Sequence, residues 1–459
     1  MLFKSIGELI PLYALYALLF ADHGMSTGQI SLLFAIWSTT AFLLEVPSGA
    51  WADTVSRRGL LVLSGVLLTA GFALWTAAPS FAGFAAGFVL WGTSGALASG
   101  TFEALLYDDL AARGVSGSYP RILGYTRAGA EAAVVVAIVA ATPLYLYGGY
   151  ALVGWSSVVI AAVHTLVALS LPTAPKAVSA ADVDDLEEES PSDAQPMADA
   201  SDITTATIGP DSGVPAACDG DARAVDSRIA IVSEADGVGP ESVAAQRRPF
   251  ARYLGMLKAG VGEAVRVRAV RYGVLLEALL FGITAFDEYF ALLAEESGVS
   301  TAVVPLLIGL TVLGSLTGSL LAGRTEGMSG RTMSIAVGVA GLLFLGGAVI
   351  AGLATGRPDA VYLLTGLGFA SIGVSYGIVY NAGIVAGARL QDAIEGPARA
   401  TVTSVSGLLG EVIALVVFGF AALVTLWSSM STLLALLGAA ILAIATLAPR
   451  WLPRRADRP

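Results

Sequence analysis

Ala17-Leu18-Leu19, Gly24, Ser26-Thr27, Leu32-Leu33, Gly49 and Arg57 mark a stretch, residues 17–57, that recurs later in the chain. At a constant offset of 274 positions the same residue types stand at Ala291-Leu292-Leu293, Gly298, Ser300-Thr301, Leu306-Leu307, Gly323 and Arg331. Each copy opens a block of about six apolar segments, so the chain is predicted to consist of two related halves. The alternative is that two Ala-, Leu- and Gly-rich stretches share letters by composition alone. A duplicated bundle encloses a site between its halves.

The composition is that of an integral membrane protein. The chain is 56% hydrophobic and 13% charged, with a mean hydropathy of +0.76, whereas a soluble protein carries about 25% charged residues. Its net charge of −11 is concentrated in residues 172–246, which hold sixteen acidic and three basic residues. The rest of the chain is therefore slightly basic, and the overall acidity says nothing about a ligand.

Few residues are available for catalysis or metal binding. Cys218 is the only cysteine, and the two histidines, His23 and His164, are far apart in the sequence. This excludes an intrachain disulfide and a thiol cluster, and predicts neither a metal site nor a cofactor. No nucleophile–base constellation and no phosphate-binding loop of the Walker type is present. We therefore expect no enzyme activity, with chemistry performed by acids alone as the remaining alternative.

Apolar runs predict twelve membrane spans in an all-α, polytopic fold of two six-helix bundles. A spanning helix needs about 20 mostly apolar residues, whereas barrel strands are about half as long and alternate. The runs fall at 2–22, 26–52, 59–78, 81–107, 122–147, 150–171, 269–293, 300–323, 332–353, 359–387, 400–425 and 429–449.

The basic residues predict the orientation of these spans. Arginines lie in every second loop between the predicted spans, whereas the loops on the opposite side contain only Arg357. By the positive-inside rule both termini and the central loop are cytoplasmic. We expect a multi-pass protein of a bacterial cytoplasmic membrane. The basic side carries Arg57, Arg58, Arg113, Arg121, Arg324, Arg331, Arg389, Arg399, Arg450, Arg454, Arg455 and Arg458.

The segments outside the spans differ in composition. Residues 172–246 are acidic and rich in Ala, Ser, Pro and Gly, which predicts a disordered cytoplasmic linker; a regulatory role is the alternative. Residues 247–268 are basic with interleaved apolar side chains, which favours an amphipathic helix on the anionic inner leaflet over nucleic-acid binding. The remaining domains are the bundles 1–171 and 269–449 and a cytoplasmic tail, 450–459.

The loop between spans two and three carries the most specific motif. It reads Gly49-Ala50-Trp51-Ala52-Asp53-Thr54-Val55-Ser56-Arg57-Arg58, and it resembles the G-x-x-x-D-x-x-G-R-R signature of the major facilitator superfamily, with Ser56 in place of the second glycine. The resemblance covers the whole chain except 172–246. It implies two rocking bundles and a conformational latch, rather than substrate binding, for Gly49, Asp53, Arg57, Arg58 and Arg399.

Two further stretches resemble one bacterial branch of this superfamily. They are residues 99–110 after span four and residues 399–405 at the start of span eleven. Because many members of that branch are uncharacterised, the resemblance predicts the arrangement of the helices better than it predicts the transported molecule. Compared with drug/proton antiporters, Trp91 stands where an arginine is usual, and residues 142–149 depart from the G-P-x-x-G-G run.

Several carboxyl groups lie inside predicted spans, where each ionised one costs at least about 2.5 kcal/mol at mid-bilayer. Glu45 and Glu103 are interpreted mainly as braces of the latch. Burial disfavours the charged form of a carboxyl, so a buried glutamate that faces each side in turn can couple proton entry to cargo exit. The candidates for proton coupling are Glu131, Glu277, Glu411 and Arg127, where an Arg127–Glu131 ion pair of purely structural role is equally favoured.

Span seven carries a polar and aromatic stripe at helical spacing, which favours a cavity lining over lipid exposure. The stripe is Glu277, Phe281, Thr284 and Glu288. Aromatic and polar residues in spans one, four and ten extend the predicted cavity. The full set of cavity candidates is Tyr13, Tyr16, Trp91, Glu103, Phe281, Thr284, Glu288, Tyr376, Tyr380 and Asn381.

These features predict a secondary active transporter that works as a monomer in the lipid bilayer by alternating access. Proton-coupled efflux of a small organic molecule is the leading hypothesis. The acidic and aromatic cavity suits an amphipathic or cationic cargo. A proton-coupled importer uses the same parts, and a non-transporting sensor with the acidic loop as its output is a third alternative.

Overall fold

The computed structural model describes residues 1–173, 266–394 and 399–454, which belong to one compact unit. The regular elements in these ranges are all helices, and the ranges contain no strand. Within the described ranges, eleven helices are long and apolar enough to cross a membrane. One of them, Arg121–Leu169, has 49 residues and contains two predicted spans. The predicted all-α polytopic fold is therefore confirmed.

The spans have the following bounds. In the first half they are Leu2–Glu8 with Pro11–Ala14 and Tyr16–Asp22 (span one), Thr27–Thr54 (two), Arg57–Ala77 (three), Phe81–Ala98 (four) and Tyr119–Leu169 (five and six). In the second half they are Arg268–Gly282 with Ile283–Tyr289 and Phe290–Glu296 (seven), Val304–Thr325 (eight), Gly330–Gly352 (nine), Val361–Ala393 (ten), Arg399–Val424 (eleven) and Met430–Trp451 (twelve).

Glycines explain where two of the helices break. The helix Tyr119–Leu169 is interrupted at Gly148 and Gly149, and Gly149 has φ +57° and ψ −157°, a conformation open almost only to glycine. Span four is predicted over 81–107, within the candidate span Phe81–Ala112, but its first helix is shorter. It ends at Ala98, Gly100 turns the chain with φ +68°, and a separate helix begins at Thr101.

Spans one and seven share an interruption that supports the internal repeat. Each is broken by a 3₁₀ segment, Pro11–Ala14 in the first half and Ile283–Tyr289 in the second. Gly24 and Gly298, which correspond in the repeat, both have positive φ, at 81° and 92°. Each glycine ends the turn that leads into the next span. The two halves therefore start with the same local structure.

The helices pack within each half and meet along two seams between the halves. Span two contacts span eleven, and the Tyr119–Leu169 helix contacts span eight. Within the second half, spans eight and ten approach through glycines, because a Cβ on Gly318 would lie 2.0 Å from the Gly377 oxygen. Most of the predicted segments 172–246 and 247–268, and the end of the 450–459 tail, lie outside the described residues.

Candidate functional site

A cavity of about 460 Å³ lies between spans two, seven and eleven. Its wall therefore contains residues of both halves, and its size is typical of a small-molecule site. The lining consists of Trp37, Ser38, Glu277, Ala278, Phe281, Gly282, Thr284, Ala285, Asp287, Glu288, Thr403, Ser406, Gly407, Gly410, Glu411, Ala414 and Phe418.

Four carboxyl groups face this cavity, and the described lining contains no lysine or arginine to neutralise them. Each carboxyl accepts a hydrogen bond from a hydroxyl. Ser38 donates to Glu411 over 2.6 Å, Ser406 donates to Glu277 over 2.6 Å, and Tyr376 donates to Asp287 over 2.7 Å. Tyr16 donates to Glu288. Hydroxyls satisfy single oxygens but leave the charge uncompensated, so the cavity favours protons or cations.

The backbone of span seven places most of these groups. The α-helix ends at Gly282 and tightens into the 3₁₀ segment Ile283–Tyr289, which brings both Asp287 and Glu288 to the cavity. Thr284 donates its hydroxyl to the carbonyl oxygen of Phe281 over 2.6 Å. The predicted stripe of Glu277, Phe281, Thr284 and Glu288 thus shares one wall.

One end of the cavity is sealed by contacts between the halves. The Ser31 and Tyr289 hydroxyls form a buried hydrogen bond of 2.8 Å, and Phe34 packs against Phe418 with 5.5 Å between ring centroids. On the same side Ile138 of span five approaches Gly309 of span eight. We call this the sealed end; it carries the Gly24 and Gly298 turns. Towards the other end the cavity reaches Thr403, near the start of span eleven.

Aromatic candidates of the first half form a layer behind the cavity wall. Trp91 stacks on Tyr13 at 5.2 Å and on Trp37 at 5.1 Å between ring centroids. Only Trp37 of these three lines the cavity. Tyr16 belongs to the same layer, edge-on to Trp91 at 6.1 Å, and reaches the cavity through Glu288. Trp91 therefore supports the wall rather than forming it.

The candidates of span ten divide between two faces. Tyr376 reaches Asp287, and Tyr380 packs edge-on against Phe281 at 5.8 Å between ring centroids. Asn381 instead donates to the carbonyl oxygen of Gly318 over 2.8 Å. Asn381 is not part of the described cavity lining, and its amide joins spans ten and eight.

Two other predicted groups lie away from the described lining. Arg127 and Glu131 are both exposed, and in the described part of the chain they form no ion pair with each other. Glu103 lies 3.9 Å from Lys4, and Glu45 accepts a hydrogen bond of 2.9 Å from Ser99. The structure therefore groups Glu277 and Glu411 at the cavity but not Glu131 or Glu103.

The latch motif is described in part. Arg57 forms an ion pair with Asp108, and Arg58 donates to the carbonyl oxygen of Leu169. These contacts join the loop to the end of span six and to the helix Thr101–Ala112. The side chains of the other predicted latch residues, Asp53 and Arg399, and the surroundings of Gly49 lie outside the described part of the structure.

Sequence reasoning missed the hydroxyl partners and some of the wall. Ser38, Ser406, Trp37 and Phe418 were not predicted, because a serine or an aromatic residue in an apolar span carries no distinctive spacing. The four carboxyls are spread along the wall, and no group of three or more His, Cys, Asp or Glu side chains in the described ranges could hold a metal ion.

Comparisons with known proteins agree on family and fold. The sequence profile described as Major Facilitator Superfamily matches residues 2–411. An auto-inhibited peptide transporter of the POT family is similar in structure at 14% identity and a TM-score of 0.65, covering 100% of this chain and 97% of its own. A variant of the nucleoside transporter NupG is similar at 10% identity and a TM-score of 0.62, covering 97% of this chain and 98% of its own. No curated protein matches in sequence.

Proposed function

The chain belongs to the major facilitator superfamily, and from this premise we propose that it exports a small organic molecule in exchange for protons. It is a multi-pass membrane transporter and not an enzyme. The proposal of proton-coupled export is carried by the cavity between the halves. Four carboxyl groups line it, and its described lining contains no basic side chain. A bacterial cytoplasmic membrane, cytoplasmic termini and a monomer belong to the same proposal.

The proposed conformation is the one that faces the cytoplasm. The halves touch at the sealed end through Ser31–Tyr289 and Phe34–Phe418. The positive-inside rule assigns that end to the outer side, because the arginine-rich loops lie at the opposite end. The cavity extends towards those loops as far as Thr403. Rocking of the halves about the cavity would then carry its contents outward.

Proton exchange follows from the uncompensated charge. A carboxyl away from bulk water is neutralised by a proton or by a cationic group. Glu277 and Glu411 line the cavity, so each is placed to exchange a proton for cargo. Glu131 stays a weaker candidate, because it is exposed and outside the described lining.

The test is proton movement in proteoliposomes that contain the purified protein. With an acidic lumen, addition of an exported compound outside should make the lumen more alkaline. Glu277→Gln and Glu411→Gln should abolish that signal, whereas Asp359→Asn, an exposed carboxylate in the turn before span ten, should leave it unchanged. Glu131→Gln should weaken it less, because Glu131 is exposed and outside the described lining.

Two results would contradict the proposal. If labelled compounds equilibrate without moving protons, the protein is not a proton antiporter. If protons enter together with the compound, the protein is an importer.

A further inference from the structure

The four cavity carboxyls fall into two pairs according to the half that supplies their hydroxyl partners. All four acids belong to the second half. Glu288 and Glu411 accept hydrogen bonds from the first half, from Tyr16 of span one and Ser38 of span two. Glu277 and Asp287 accept theirs within the second half. Of the four described cavity acids, Glu288 and Glu411 are therefore the two that accept a hydroxyl hydrogen bond from the other half.

The surroundings of these acids indicate what would compete with the hydroxyls. Trp37, Phe281 and Phe418 supply aromatic surface to the same cavity, and no described lining residue is basic. An organic cation would attract all four carboxylates and pack on the aromatic rings. A neutral molecule of the same shape would pack equally well but offer the carboxylates no charge.

This inference rests on the proposed transport function. We propose that the cargo is an aromatic organic cation, and that Glu288 and Glu411 couple its binding to the contact between the halves. Glu277 and Asp287 also attract the cation, but their own hydrogen bonds stay within the second half. A cation that draws Glu288 and Glu411 away from Tyr16 and Ser38 removes two bonds across the seam. The two halves are then held together by fewer contacts. Binding from the cavity side thus favours opening of the opposite side.

A cross-link between spans five and eight, at the other seam between the halves, measures this coupling, because the halves move as bundles. Since Cys218 is the only cysteine, Cys218→Ser provides a cysteine-free background. A Cβ at Gly309 would lie 3.5 Å from the Ile138 side chain, so Ile138→Cys with Gly309→Cys places one thiol on each half. The rate of disulfide formation under a mild oxidant then reports how often the seam is closed. The N-methyl-4-phenylpyridinium cation should slow it, and its neutral isostere 4-methylbiphenyl should not.

Variants separate the two pairs of acids. Without any compound, Tyr16→Phe and Ser38→Ala should each slow cross-linking by about tenfold or more, since a hydrogen bond to a charged group is worth at least that factor. Tyr376→Phe and Ser406→Ala remove the same kind of bond within one half and are matched controls that should leave the rate unchanged. Glu288→Gln and Glu411→Gln should abolish the response to the cation.

Each contrary result identifies what is wrong. Equal slowing by the cation and by 4-methylbiphenyl, or no slowing by either, would overturn the cation assignment. If the control variants slowed cross-linking as much as Tyr16→Phe and Ser38→Ala do, the four acids would not divide into two functional pairs. A cation response without movement of any compound across the membrane would contradict the proposed export and leave the coupling standing. Melting temperatures in detergent exclude variants that fail to fold.

Discussion

Asp108 and Arg389 carry opposite charges, and each contacts the loop before the third span of its own half. Asp108, on the helix that follows span four, pairs with Arg57 at the start of span three. Arg389, near the end of span ten, donates to the carbonyl oxygens of Glu326 and Met328 between spans eight and nine, over 2.9 and 3.4 Å. Each half therefore clamps the loop before its third helix. The first clamp is an ion pair and the second is a cation on peptide oxygens.

Asp108→Asn should destabilise the protein by about 3 kcal/mol. The side chains of Arg57 and Asp108 are 12% and 6% exposed, and loss of one partner leaves a poorly solvated charge on the other. The value lies at the low end for buried pairs, because Arg57 also makes other contacts. Thermal melting in detergent is the measurement.

Asp109→Asn is the matched control for Asp108→Asn. It removes the neighbouring Asp109–Arg113 ion pair, whose arginine is 64% exposed. Surface pairs of this kind contribute at most about 0.5 kcal/mol. Equal losses at the two positions would show that the Arg57–Asp108 pair is solvated and contributes no clamp.

Arg389→Met should cost less than Asp108→Asn, about 1–3 kcal/mol. Arg389 is buried, and among the described residues its Nε and Nη1 atoms have no hydrogen-bond partner. The variant leaves two carbonyl oxygens without their donor, but it also removes a buried charge from the protein. Chemical denaturation of both variants in one detergent compares the costs. A loss larger than that of Asp108→Asn would mean that the Arg389 charge is itself stabilising.

The internal repeat and the helical spacing allowed local features of the fold to be predicted from the sequence. Gly24 and Gly298 stand at equal places in the two copies, and both adopt positive φ. The spacing of Glu277, Phe281, Thr284 and Glu288 keeps these residues on one wall, although the helix tightens to 3₁₀ geometry before Glu288. Local periodicity is enough for such statements, because each concerns a single helix.

The partners of the site could not be predicted in the same way. Ser38 meets Glu411 across 373 positions, and Ser406 meets Glu277 across 129. Such pairs depend on how helices pack, which the periodicity of one helix does not encode. Arg127 and Glu131 have the helical spacing of an ion pair, but they form none in the described part of the chain, because such spacing permits a pair without requiring it. The hydrogen bond from Asn381 to the Gly318 carbonyl could not be predicted either, because it depends on the packing of spans eight and ten.

Gly318→Ala should destabilise the protein by about 1–3 kcal/mol or more through overpacking. Its new Cβ would lie 2.0 Å from the Gly377 carbonyl oxygen, and backbone cannot move aside as a flexible side chain can. Gly323→Ala on the same helix is the control, since a Cβ there meets nothing within 4 Å. The melting temperature should fall for the first variant and stay near that of the parent for the second. Equal melting temperatures would mean that spans eight and ten do not approach this closely.

Trp37→Ala should weaken binding of an aromatic cation by about threefold to tenfold, the range expected for loss of one aromatic contact. Trp37 lines the cavity and is held in place by stacking on Trp91 at 5.1 Å between ring centroids. Because the carboxyls remain, the maximal transport rate should change less than KM. Transport of N-methyl-4-phenylpyridinium at increasing concentration separates the two quantities. Trp155→Ala, at a half-exposed tryptophan of span six, controls for loss of an indole elsewhere. A fall in the maximal rate at unchanged KM would assign Trp37 to the movement of the halves instead of to the cargo.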